Sequence, residues 1–250
     1  MPCLSPTTPL AKDAVRAIQT GDTAALQQLL TDHPGLATSR VGVDSPGGQT
    51  RTLLHVATDW PGHFPNGAAT VRILAAAGAD VNAPFAGPHA ETPLHWAASS
   101  NDVAVLDALL DAGADIEAPG AVLGGGPPLA DATGFRQWAA AHRLVARGAR
   151  TTLRDAATLG LQDRLEGFFA RAETAPTKAE IDHAFWWACH GGQETAAAHL
   201  LDRGAHVNGV PDWEEATPLD AAAGAKAPAL LAWLRTRGGQ TVRELKPLSH

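Results

Sequence analysis

Three side chains in this 250-residue chain stand out as able to do acid–base chemistry: Asp131, Asp155 and His63. Two carboxylates with an imidazole beside them can give and take protons, which suits hydrolysis by activated water, elimination, isomerisation or cyclisation. Other chemistry lacks its residues. The sequence has no GxSxG elbow, no HExxH and no CxxC, and the triple glycine at 124–126 is not followed by the Lys and Ser/Thr of a phosphate loop. Cys189 and His190 are neighbours in sequence, which on a helix turns them about 100° apart. His89 and Glu91 are the remaining candidates for an acid–base or metal cluster with His63, with no spacing rule to support them. No metal site and no cofactor is expected.

Composition narrows the partners. A hydrophobic content of 45% supplies material for a core, and the formal charge of −7 gives no broad positive field for phosphates or an anionic membrane. Nucleic acid and membrane are therefore not expected as partners. Two cysteines, Cys3 and Cys189, are too few for a disulfide framework or a cysteine-built zinc site. The start, MPCLSPTTPLAKD, has no basic segment followed by an apolar one, and nowhere do 18 apolar residues run together. The expectation is a soluble, cytoplasmic protein.

The elements that must position these residues repeat along the chain. A glycine follows 21 positions after Thr92, Pro127, His183 and Thr217, at Gly113, Gly148, Gly204 and Gly238. Between the anchors each unit reads as an alanine-rich first helix, a tight turn and a second helix closing on LDALLDAG, HRLVARG, AHLLDRG or LAWLRTRG. One such hairpin has too little core to stand alone and must stack on its neighbours.

The stretches TLLHVA (52–57), TPLHWAA (92–98) and TPLDAAA (217–223), with GADVN (78–82), GADIE (113–117) and GAHVN (204–208), resemble the ankyrin repeat. The chain is also similar to bacterial free-standing ankyrin-repeat proteins. The resemblance implies an all-α solenoid of about seven helix–turn–helix units with irregular finger loops, as one domain over 1–250. It places an N-terminal cap at about 11–40, repeats at about 50–83, 90–118, 125–150, 151–172 and 180–209, and a C-terminal cap at about 215–245. His55 and His95 are the motif histidines, expected to be structural.

Ankyrin geometry, as the resemblance implies it, turns the fifth residue of TPLHxAA and those three and four further on toward a concave groove. Across the units that row is Val56 with Asp59 and Trp60, Trp96 with Ser99 and Ser100, Asp131 with Phe135, Asp155 with Leu159, and Trp187 with His190 and Gly191. Stacked units roughly 10 Å apart would let Asp131 and Asp155 perturb one another. The second unit carries five extra residues around DWPGHFPNG (59–67), expected as an ordered loop with His63 and Phe64 at the groove edge. The connection APGAVLGGGPP (118–128) is long and glycine-rich.

Two readings follow. In the first, the groove holds a protein segment or a small apolar or cationic ligand on Asp59, Trp60, Phe64, Trp96, Ser100, Phe135, Trp187, His190 and Trp213. In the second, the groove is an enzyme pocket in which Asp131 and Asp155 share proton transfer and His63 contributes from the loop. Tryptophan at the fifth position also occurs in plain ankyrin units, so the row serves either reading.

Overall fold

The computed structural model describes residues 3–43, 45 and 47–246. The helices fall in pairs, as the repeat predicts. In the first unit these are α1 (Pro9–Thr20) with α2 (Thr23–Asp32), α3 (Leu53–Thr58) with α4 (Gly67–Ala76), α5 (Pro93–Ser99) with α6 (Val103–Asp111), and α7 (Pro128–Gly134) with α8 (Trp138–Ala146). In the second they are α9 (Leu153–Thr158) with α10 (Gln162–Gly167), α11 (Lys178–His190) with α12 (Glu194–Leu201), and α13 (Pro218–Gly224) with α14 (Pro228–Thr236), followed by the short α15 (Val242–Leu245). Where one domain was expected, contacts divide the chain into two compact units, 1–150 and 151–250. The boundary coincides with the expected start of the 151–172 repeat, and each unit is described by itself.

A short polar residue caps most of the first helices, whereas α7 starts at Pro127 and Pro128 with no side-chain cap. Thr52 and Thr92 each pair with the histidine three residues on, and Thr152, Thr177 and Thr217 with Asp155, Glu180 and Asp220, forming reciprocal capping boxes. In His55 and His95 the Nδ1 atom accepts the threonine backbone N–H, so Nε2 carries the proton and donates to Glu91 O at 3.0 Å and Gly126 O at 3.2 Å. Each histidine thereby ties its repeat to the backbone leading into the next. Burial lowers the pKa of His55 to about 4 and depresses that of His95, which fits their neutral, structural role.

Trp186 does the same work in the second unit, its indole N–H reaching Ala216 O at 2.9 Å just ahead of Thr217. The fifth residue of GADVN supplies a second tie. Asn82 donates to Gly113 O and accepts from Asp115 N–H, and Asn208 repeats this with Gly238 O and Gln240 N–H. Gly113, at φ +94, takes the left-handed conformation that ends the second helix and frees its carbonyl for this contact.

One element lies outside the all-helical expectation. A three-stranded sheet, β1 (Cys3–Leu4), β2 (Arg40–Gly42) and β3 (Thr50–Thr52), has β1 parallel and β3 antiparallel to β2. The pairing extends from Thr50 to Ala86 on the following finger. Runs of two or three residues are too short to leave an alternating pattern in sequence. Among the described residues no helix is long and apolar enough to cross a membrane.

Candidate functional site

The first unit holds a cleft of about 520 Å³ with Trp96 and Phe85 in its wall. Helix α1 contributes Lys12, Arg16 and Thr20, spaced four apart on the face opposite its buried Ala11, Ala14, Ala17 and Ile18. The sheet adds Val41 and Arg51. Phe85 is fixed by its backbone N–H on Glu91 O at 2.7 Å, and Arg40 holds Pro84 O beside it.

Trp96, half-buried, is the fifth-position residue that the sequence turned toward the groove. Its ring meets His55 edge-on at 4.9 Å and Phe85 at 5.3 Å, so three aromatic rings brace one another. The charged side chains that line the cleft, Lys12, Arg16 and Arg51, are all cations. Arg16 is paired with Asp13, and Arg51 with Asp59. Asp59 is thus committed to an ion pair at this edge.

Asp131 also occupies the fifth position, four residues after Pro127, yet it is not a solvated groove residue. The glycine-rich 118–128 connection folds back over α7, with Leu123 pressed so close to Gly134 that an added Cβ would lie 2.0 Å from its Cδ1. Asp131 is 0% exposed, and neither carboxylate oxygen has a hydrogen-bond partner of good geometry. Burial and the nearby charge of Glu91 raise its pKa to about 7, while the backbone N–H groups of Leu123 and Val122 offset part of the rise. Glu91, 8% exposed, is also shifted upward by burial, with the Trp96 indole and His89 pulling it back. The charge acting on Asp131 in this unit is therefore that of Glu91, 40 residues away.

Asp155 is displaced from its expected place by one residue. It lies three after Thr152, on the capping-box row with His55 and His95, and Ala156 takes the Trp96 position. One carboxylate oxygen accepts from Thr152 N–H and Oγ1, and the other from Arg154. That carboxylate is committed to a cap and an ion pair. His63 is likewise occupied. Its N–H donates to Asp102 at 2.8 Å and its Nε2 lies 3.0 Å from Ser100 O, while Asn66 reaches Gly21 O at 2.9 Å. The extra loop thus straps the helix turns of the preceding and following repeats and does not line the cleft.

The other expected contact residues separate. Trp60 is 82% exposed and Phe135 42% exposed, and Phe64 and Ser100 lie at the strap. Trp187, His190 and Trp213 do come together in the second unit, with Trp186 and His183. Trp187 meets His190 at 4.8 Å, Trp213 meets His183 at 4.4 Å, and Arg154 lies over Trp187 at 4.9 Å. Lys12, Arg51, Phe85 and the Glu91–Asp131 pair were not singled out as a site by sequence, because their positions depend on the sheet and on a loop fold that no local pattern encodes.

A family model described as ankyrin repeats, three copies, matches residues 14–119. No curated protein matches the sequence. The crystal structure of the human ASB11 ankyrin repeat domain is similar, at 20% identity and a TM-score of 0.51, over 97% of this chain and 93% of that one. The capping-box ladder, the asparagine ties between fingers and these two matches agree: residues 14–119 carry ankyrin repeats, and the chain has a fold similar to that of an ankyrin-repeat domain.

Proposed function

We propose that this is a binding protein whose seat is the Trp96–Phe85 cleft of the first unit. The observation that carries the reading is the cleft itself, whose volume of about 520 Å³ lies in the range of small-ligand sites, roughly 300–1,000 Å³. Ankyrin repeats generally bind proteins, which supports the same reading for a peptide side chain seated there. Lys12, among the described residues, has no carboxylate partner, so the unmatched charge at the cleft is positive. The ligand is then a flat apolar group bearing one anionic group, rather than the cation that the sequence suggested. A cytoplasmic location fits the two free thiols, Cys3 and Cys189.

The probe is 1-anilinonaphthalene-8-sulfonate, an aromatic anion that fluoresces in apolar surroundings. One saturable site is expected, weakened at least about tenfold by Trp96→Ala through loss of its stacking wall. Lys12→Gln, on an exposed helix face, should weaken it severalfold and flatten its salt dependence. Equal binding by both variants would remove the cleft from consideration.

A second reading rests on a different observation, the fully buried Asp131 whose carboxylate oxygens lack hydrogen-bond partners of good geometry, with burial and the charge of Glu91 raising its pKa to about 7. A carboxyl held at about pH 7 can act as general acid or base in proton transfer. In this reading Glu91 takes the part that sequence had given to Asp155 and His63. A carboxyl-carbon NMR titration of Asp131 is expected to show a midpoint close to 7. A midpoint in the ordinary carboxylate range would end the enzyme reading.

A further inference from the structure

The second unit has a hollow of about 250 Å³ between α11 and the 209–213 segment. Its walls are the rings of Trp186, Trp213 and His183, with Val210, Pro211 and Asp182 at the rim. Trp186 and Trp213 stand nearly perpendicular, at 82° with centroids 6.2 Å apart, and His183 meets Trp213 edge-on. Trp186 is 7% exposed and stacks on His190, so most of the ring surface open to the hollow is that of Trp213. Trp213 is 50% exposed, an unusual position for the largest apolar side chain.

Charge says what the hollow suits. The segment 212–215 reads DWEE, placing Asp212 and Glu214 on either side of Trp213, both exposed, and Asp182 adds a third carboxylate. Asp182 is tied to Lys178 and to the His206 N–H, so Asp212 and Glu214 provide the excess negative charge. His183 accepts the Trp187 indole N–H on Nε2 at 2.8 Å, which keeps that nitrogen unprotonated and adds no positive charge to the wall. The same ring cluster already takes a cation on another face, where the Arg154 guanidinium lies over Trp187.

We propose that this hollow is a second binding site, separate from the Trp96 cleft, for an alkylammonium headgroup. A cation over tryptophan faces is attracted by the ring quadrupole, and carboxylates at the rim add to that attraction. The volume is below that of a whole small-ligand site, which fits a headgroup carried on a longer chain. The headgroup belongs either to a free small molecule or to an alkylated lysine side chain.

The test titrates the full chain by calorimetry and tryptophan fluorescence with choline, with its neutral isostere 3,3-dimethylbutan-1-ol, and with a short peptide carrying trimethyllysine beside its unmodified form. Choline should bind in a saturable way, at least about tenfold more tightly than the neutral isostere. Trp213→Ala, at a half-exposed position, should abolish that response, and Asp212→Asn should weaken it severalfold. Trp60→Ala, at the most exposed tryptophan, should leave it unchanged. Tighter binding of the trimethyllysine peptide than of choline assigns the site to a protein partner, and the reverse assigns it to a free cation. Equal binding of choline and the neutral alcohol, no saturable response to any probe, or a response that survives Trp213→Ala would overturn the proposal.

Discussion

Asp131→Asn should make this protein more stable at pH 8, by about 2–4 kcal/mol, and the gain should fade as the pH is lowered toward 4. The sign follows from proton counting. Folded, the carboxyl keeps its proton up to about pH 7; unfolded, it releases it near its ordinary value of 3.8. Between those values the folded state binds more protons than the unfolded one, so stability falls as the pH rises, and above about 7 the full cost is present. Asparagine removes the buried charge and its repulsion by Glu91.

Melting curves at pH 8 and pH 4.5 would check this, with a rise of roughly 5–12 °C expected at the higher pH. A variant no more stable than the parent at pH 8 would show that the Val122 and Leu123 N–H groups already satisfy the carboxylate. If Asp131 serves catalysis, the same variant gains stability and loses turnover together, the usual relation for a group held at a strained site.

Gly191→Ala should be among the most damaging single-methyl changes in the chain. An added Cβ would lie 1.9 Å from Thr158 O and 2.8 Å from its carbonyl carbon, at the contact of α9 with α11. Gly191 has an ordinary helical φ of −78, so the cost is purely steric. Backbone cannot rotate out of the way as a side chain can, and the two helices must separate. Overpacking of this kind costs about 3 kcal/mol or more.

Gly204→Ala is the natural control, since its φ is +89 but no atom lies within 4 Å of an added Cβ. Strain alone should cost about 1–2 kcal/mol there. Urea unfolding of the two variants, followed by the tryptophans of the second unit, should rank Gly191→Ala well below Gly204→Ala. The reverse order would mean that α9 and α11 slide apart freely.

Gly191 also shows how much of the candidate site was legible. It stands on the expected groove row with Trp187 and His190, whose rings lie 4.8 Å apart. The same row failed at Asp155 because the anchor in that repeat is Thr152 and not Thr151. Each residue along a helix turns the side chain about 100°, so a one-residue slip moved a capping carboxylate onto the groove. In α11 the cap, Thr177, stands six residues ahead of His183, and Trp186 replaces the motif histidine with a different donor reaching the same kind of carbonyl.

The sequence by itself determined the helix pairs, the glycines that end them and the repeat that stacks them. These depend on interactions spanning three or four residues, and a 21-residue spacing records them directly. Only the tertiary structure decided that the 118–128 connection folds over α7, that the charge of Glu91 acts on Asp131, and that a short sheet joins Trp96 and Phe85 in walling a cleft. Leu123 and Gly134 are 11 positions apart and Glu91 and Asp131 are 40, beyond the reach of a helical or strand period. Burial there is set by how loops pack, and no local period in the chain encodes it.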